Sequence, residues 1–351
     1  MFAHVFDIAG KISLFYAIWF VVCKVYWVLS GRKVGSIHQR KFRDGRTFAA
    51  IEGDLSVSLV HKEIYCDKCY FRHGVTLDGR KNPLVVDIGG NCGLFTSWVC
   101  ENYPTAVVQL IEPAPTLIDV CHKNLAKFGV HIIRNEEDAK KKAPAGTRVT
   151  VHRAAIGAEE CEVDFTFEPL TTAGSSMKPD AMEPQKMDIT AVVRALLYDA
   201  VEGEIIPYTP TRQVCALMTI PYLRHLVFVM IIPFLIMIFV YFASAGAKKE
   251  VFKCTVKPLS SILDQQQLTG KKIDMMKIDV EGAEWEVLQG LSDANWRDID
   301  QMVVEVHDGK QGRIAQVKQL LKERGFINIH EEDEDLELHK IVKLSTIFAT
   351  R

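Results

Sequence analysis

The sequence predicts an α/β fold built on an open, mainly parallel sheet. Three segments carry that prediction, each reading as an apolar strand, an acid and a turn. They are Leu84-Val85-Val86-Asp87-Ile88 followed by Gly89-Gly90-Asn91-Cys92-Gly93, then Val107-Val108-Gln109-Leu110-Ile111-Glu112-Pro113, then Met275-Met276-Lys277-Ile278-Asp279-Val280-Glu281-Gly282. A parallel strand buried on both faces reads as a continuous apolar run. Ligands of such sheets bind beyond the carboxyl ends of the strands, where these acids and glycines fall.

From the N-terminus, Ile12 to Leu29 is apolar apart from Lys24, and its 18 residues are just long enough to span a bilayer. Arg32, Lys33, Arg40, Lys41, Arg43 and Arg46 follow, a basic flank that keeps the downstream domain on the cytosolic side. A cleaved signal peptide fits less well, because Lys11 is opposed by Asp7; an interfacial helix is the other reading. Residues 1–34 are therefore expected as a membrane anchor, 35–57 as a basic linker and 58–351 as the catalytic domain. Val57-Ser58-Leu59-Val60 alternates as a short strand would. Tyr65, Tyr70 and His73 could lie across a pocket mouth.

The turn after Asp87 lacks the Gly-x-Gly-x-x-Gly spacing of a dinucleotide site. A carboxylate at Asp87 would repel a pyrophosphate and attract an amino-acid ammonium, which points to S-adenosylmethionine (SAM) rather than NAD. Glu112, 25 residues on, is placed to accept hydrogen bonds from ribose hydroxyls. A helix pattern runs from Thr116 to Phe128 and stops at Gly129. Arg148 to Arg153 reads as a third strand, Ala154 to Gly157 as a turn beside an adenine, and Cys161 to Phe167 as an outer strand.

Residues 172–252 interrupt the α/β order. They hold a helical stretch, Ile189 to Ala200, and a hydrophobic part, 217–246, in which Leu226 to Ser244 is 19 residues without a charge. One complete membrane pass here would put two strands of one sheet on opposite sides, and Pro233 disrupts a helix. The expectation is a membrane dip or a buried cap. The chain then resumes with a strand and turn over Cys254 to Leu263, a strand from Lys272 to Ile278, a helix from Trp285 to Leu291 and a strand from Ile299 to His307. An amphipathic helix follows from Arg313 to Arg324, then closing antiparallel strands at 325–329 and 340–349. The acidic run Glu331 to Glu337 reads as a solvated loop.

Asp279, Glu281 and Glu284 crowd one strand end beside Lys277, a costly arrangement unless a cation or a helix N-terminus compensates. Glu305 and His307, two apart on a strand, share a face. An imidazole with an unshifted pKa suits a general base, so the candidate catalytic residues are His307, Asp279 and Glu305. Asp279 could also orient His307 or accept from an ammonium.

The motifs Val86-Asp87-Ile88-Gly89-Gly90-Asn91-Cys92-Gly93, Ile111-Glu112-Pro113, Ala155-Ile156-Gly157, Lys277-Ile278-Asp279-Val280-Glu281-Gly282-Ala283-Glu284 and Val304-Glu305-Val306-His307 resemble the FkbM-type SAM-dependent methyltransferases. The resemblance spans residues 58–335 outside the insertion. It departs at Gly90, where the family has Ala, and at Cys92, where it has an aliphatic residue. It implies a Rossmann-like class I methyltransferase sheet, to which the residue reading adds the N-terminal membrane segment and the hydrophobic helical insertion. It also implies SAM held by Asp87, Gly89, Gly90, Asn91, Gly93, Glu112 and Asp279, and O-methylation of a hydroxyl on a sugar, polyketide or similar small molecule; the hydrophobic insertion suggests a lipid-like acceptor. The competing readings are an NAD-dependent oxidoreductase and a catalytically inactive, membrane-tethered relative.

The net charge of −2 offers no basic field for nucleic acid. Nine scattered cysteines suit a reducing compartment. Cys66, Cys69 and His73 make half a zinc pattern, and no metal site is expected.

Overall fold

The computed structural model describes residues 35–42, 44–52, 54, 56–169, 172–177, 250–307, 312–333 and 344–351. From Ile37 onward these fall in one of the chain's two compact units, Ile37–Pro184 with Lys249–Glu334 and Val342–Arg351. The apolar stretch 12–29, the helical stretch 189–200 and the hydrophobic part 217–246 lie outside the described residues. Among the described residues, no helix is long and apolar enough to cross a membrane.

The stretch read as a linker is instead a hairpin, β1 (Ile37–Lys41) and β2 (Thr47–Ile51), paired antiparallel. Its basic residues disguise a core contribution, since Phe42, Phe48, Ala49, Ala50 and Ile51 are all buried. Val57–His61 is a helix, α1, running into a π-turn over Lys62–Cys66, and not the expected strand. Val57 and His61 are its buried residues. They are four apart and so share a helical face, a pattern that four alternating residues cannot distinguish from a strand.

The main sheet follows. It contains β3 (Leu84–Ile88), β4 (Val107–Ile111), β5 (Val130–Ile133), β6 (Val149–His152), β10 (Met275–Ile278), β11 (Gln301–His307), β12 (Asn328–Asp333) and β13 (Leu344–Thr350). Its eight strands run in the order β12-β13-β11-β10-β3-β4-β6-β5. The pairs from β11 to β5 are parallel; β13 lies antiparallel between β11 and β12. The chain reverses direction across the sheet between β3 and β10, and a crevice opens at such a switch point. The short edge strand β5, directly after Gly129, is not among the expected elements. The acidic run begins as β12 rather than as a loop: Glu331 pairs with Lys318, and Glu332 with Arg72 and His73.

Helices cover both faces. On one side lie α2 (Leu94–Asn102) and α3 (Pro115–Leu125), packed with the hairpin. After β5 comes a single turn, α4 (Glu136–Ala139). On the other side are α5 (Leu259–Gln265), α6 (Glu284–Gln289), α7 (Asp293–Asp298) and α8 (Arg313–Glu323). The stretch read as a strand and turn is therefore a strand followed by helix α5. That strand, β9 (Glu250–Lys257), joins β7 (Ala155–Ile156) and β8 (Cys161–Phe167) in a small second sheet. Asn124 locks the hairpin to the glycine turn: it accepts from Ala49 N at 2.7 Å and donates to Ala49 O at 3.1 Å and Cys92 O at 2.8 Å.

Candidate active site

The three acid-bearing strands β3, β4 and β10 are neighbours, so their carboxyl ends meet. Register places Lys277 directly beside Asp87 on the adjacent strand. Lys277 is the hub that the sequence did not nominate. Its buried ammonium donates to Gly89 O at 3.0 Å and lies 3.2 Å from Asp279 Oδ2 and 3.4 Å from Asp87 Oδ1. It also sits over the rings of Tyr70 and Phe95, an added attraction for a cation. Burial works to lower its pKa, but Asp279 and Asp87 outweigh burial and raise it, so the charge stays.

Asp87 is not placed as expected. It is fully enclosed, with Oδ2 accepting from the Thr96 hydroxyl at 2.7 Å. Its charge answers Lys277 from inside the fold. A carboxylate with no accessible surface cannot meet a ligand's ammonium directly.

The glycine turn is pulled tight rather than left open. Gly89 has φ +81°, and both Gly89 N and Gly90 N donate to Ile111 O at 3.0 Å. The side of Gly89 where a Cβ would sit is filled by the backbone of Asp279, so this residue lets β3 and β10 approach. Gly90 abuts Leu110, and Gly93 faces Cys121 and Leu125 of α3. Asn91 holds a left-handed conformation, φ 46°, and its N–H donates to Glu112 Oε2 at 2.9 Å.

Glu112 ends β4 and is buried. Its other oxygen accepts from Ala114 N at 2.9 Å. Each carboxylate oxygen therefore keeps a lone pair for another donor. Burial, reinforced by Asp87, pushes the carboxyl up to about 7, against the pull of the Ala114 and Asn91 N–H groups and of Lys277. A buried acid so short of donors fits a ligand that brings hydroxyls. The sign for folding is the reverse. With a folded-state pKa above the ordinary 4.5, the contribution of Glu112 to stability is complete below that value. It is lost as pH rises toward 7.

At the next strand ends, Asp279 Oδ2 accepts from the buried Tyr70 hydroxyl at 3.1 Å. Burial first, then Asp279, raises the Tyr70 pKa well above its ordinary value, so this hydroxyl stays a donor. Tyr65, by contrast, packs into the core against His61 and Phe48. His73 pairs with Glu332, so it does not complete a metal set with Cys66 and Cys69.

His307 ends β11 with both nitrogens engaged: Nδ1 lies 2.9 Å from Glu284 Oε1 and Nε2 lies 3.0 Å from Glu281 Oε2. Burial works to lower its pKa, but the two carboxylates raise it well above the ordinary value. The expectation of an unshifted imidazole acting as base is therefore replaced: this ring holds its proton between two acids. Burial raises the pKa of Glu281, against His307. Glu284 also caps its own turn, accepting from Gly282 N at 2.6 Å. Glu305, on the same face of β11 as His307, lies within ligand reach of Glu281 and His307.

The first residues of the insertion are tied to this site. Thr172 donates to Asp54 Oδ2 at 2.8 Å and to Asn91 Oδ1 at 3.2 Å, while the Ser176 hydroxyl donates to Glu281 O. Residues 172–176 thus bridge the glycine turn and the Glu281 turn, a link that no motif revealed. A separate cavity of about 390 Å³ opens at the ends of β5 and β6, lined by Arg134, Asn135, His152, Ala154 and Lys257 among others. Ala154, in the turn that the sequence reading set beside an adenine, is among its lining residues.

An open sheet whose acids and glycine turn converge at a switch point is the arrangement of a Rossmann-like transferase. Proteins similar to this chain are named as methyltransferases. "Methyltransferase 1" of Beauveria bassiana is 26% identical over 85% of this chain and 94% of its own length. "31-O-demethyl-FK506 methyltransferase FkbM" of Streptomyces tacrolimicus is 28% identical over 86% and 95%. "Methyltransferase sdnD" of Sordaria araneosa is 26% identical over 78% and 83%. The family described as "Methyltransferase FkbM domain" matches residues 238–327. The FkbM-type resemblance read from its motifs is borne out by these matches, which support a methyltransferase.

Proposed function

We propose that this chain is a SAM-dependent O-methyltransferase acting on a hydroxyl of a small molecule. The observation that carries the reading is the buried, donor-poor Glu112 beside the tight glycine turn. The Streptomyces relative's name adds support for oxygen as the methylated atom. Glu112 would receive the ribose hydroxyls, the backbone of Gly89, Gly90 and Asn91 would shape the cradle, and Asp279 would lie where cofactor and acceptor meet. When bound, SAM supplies a methyl group already activated on a sulfonium.

The rest of the work belongs to the protein. It must hold the acceptor oxygen in line, largely a proximity effect. It must also take the hydroxyl proton. In our reading Asp279, fixed by Tyr70 and Lys277, receives that proton, and the Glu305–His307 face positions the acceptor. The same proposal anchors the domain at the cytosolic face of a membrane through residues 12–29, and extends to a lipid-like acceptor through the apolar run 226–244. Both parts rest on sequence alone.

Two measurements test this. Titration with SAM and with NAD should show saturable binding of SAM only, and methyl-labelled SAM incubated with cell extract should yield a labelled product by mass spectrometry. NAD binding without SAM binding would sink the reading in favour of an oxidoreductase. A pH series adds a third test. Ionised Glu112 is the better acceptor for ribose hydroxyls, so SAM affinity should rise by up to about tenfold per pH unit toward 7 and then level off. Glu112→Gln should bind SAM more weakly at pH 8 and show a flat profile. A parent profile equally flat from pH 5.5 to 8 would remove Glu112 from the cofactor site.

A further inference from the structure

We infer that Glu281, Glu305 and His307 bind a divalent cation of the Mg²⁺/Mn²⁺ class, which takes the acceptor hydroxyl as a further ligand. This deepens the proposed function and rests on it. The three side chains each offer one ligand atom, and these atoms lie within 4.8 Å of one another. An ion about 2.1 Å from each donor holds them roughly 3–4 Å apart, so small side-chain rotations close the site. The Nε2–Glu281 contact of 3.0 Å shows how little movement one edge needs.

The orientation of His307 is the second argument. Its Nδ1 is tied at 2.9 Å to Glu284, a carboxylate buried on α6 and itself held by Gly282 N. Ligating histidines characteristically give their far nitrogen to such a partner, which fixes the ring and raises ligand basicity. The near nitrogen, Nε2, is thereby left facing Glu281.

Two carboxylates and one imidazole suit a hard to borderline ion with open positions. On binding, the ion displaces the proton on Nε2 and releases it to solvent. A hydroxyl coordinated at an open position has its pKa lowered, as a metal lowers that of bound water. With the ion bound, Asp279 would take the hydroxyl proton, so a lysine-paired carboxylate suffices as acceptor.

The test uses the full-length chain, stripped with chelator and titrated with Mn²⁺ alone, followed by electron paramagnetic resonance. One ion per chain should bind saturably, and its spin echo should carry the modulation of an imidazole ¹⁴N. Glu305→Gln should weaken binding at least about tenfold, and His307→Gln should remove the ¹⁴N modulation. Thermal melts check that both variants fold; if one does not, Glu281→Gln replaces it. Absence of saturable Mn²⁺ uptake, or uptake unchanged in Glu305→Gln with no ¹⁴N coupling in the parent, overturns the inference. SAM titration of the same samples separates the two proposals: SAM binding without metal binding leaves the methyltransferase reading standing, whereas metal binding without SAM binding fails that reading instead.

Discussion

Gly89→Ala should abolish measurable SAM binding and lower the melting temperature, while Gly90→Ala should do neither to the same degree. An added Cβ at Gly89 would lie 1.6 Å from the Asp279 carbonyl oxygen and 2.7 Å from its carbon. Both are backbone atoms of the neighbouring strand end, so relief requires β3 and β10 to part. The residue also holds φ +81°, which costs a non-glycine residue about 1 kcal/mol or more. Overpacking adds about 1–3 kcal/mol. Parting the strands also moves Gly89 O away from Lys277 and shifts Asn91 relative to Glu112. Each 1.4 kcal/mol is about tenfold in affinity, so a loss of at least about 100-fold is expected by calorimetry. At Gly90 the Cβ would meet only the Leu110 side chain, at 2.4 Å. That side chain can repack. Equal SAM affinity in Gly89→Ala and the parent would show that the turn does not set the cofactor site.

The contrast between these two glycines shows what the sequence could disclose. Strand–acid–turn segments are legible because a buried parallel strand and a tight turn each leave a local signature. From them came the sheet, the glycine turn and the position of Glu112. What a charged side chain faces is set by register, which is not local. Asp87 reads as a ligand-facing acid until β10 pairs with β3 and brings Lys277 alongside it. Lys277 itself, inside Met275-Met276-Lys277-Ile278, passes for an ordinary polar interruption of a strand. His307 looks like a free base because Glu281 and Glu284 lie over 20 residues away in sequence. Tyr70 reaches Asp279 across 209 positions. The hairpin over 37–51 is masked for a different reason: Arg40, Lys41, Arg43 and Arg46 interrupt it, and its buried residues Phe48 to Ile51 run together rather than alternating.

Lys277→Met should destabilise the fold by about 3–5 kcal/mol, the usual result of removing one partner from a buried ion pair. The loss comes chiefly from Asp87, which has no solvent exposure and would retain only the Thr96 hydroxyl. Asp279 is partly accessible and can recruit water. At about 2–4 °C per kcal/mol for a domain of this size, the melting temperature should fall by on the order of 10 °C. Lys277→Arg should not rescue it, because a planar guanidinium cannot replace a compact ammonium among Gly89 O, Asp87 and Asp279. The decisive variant is the double substitution Lys277→Met with Asp87→Asn. It removes the stranded charge and leaves an amide that can still bond Thr96. If Lys277 exists to neutralise Asp87, the double variant melts well above Lys277→Met alone, and the thermodynamic cycle returns a coupling of the order of 1–3 kcal/mol. A double variant no more stable than Lys277→Met would mean that Lys277 acts only through Asp279 and the glycine turn, and that the enclosed acid is compensated by something else.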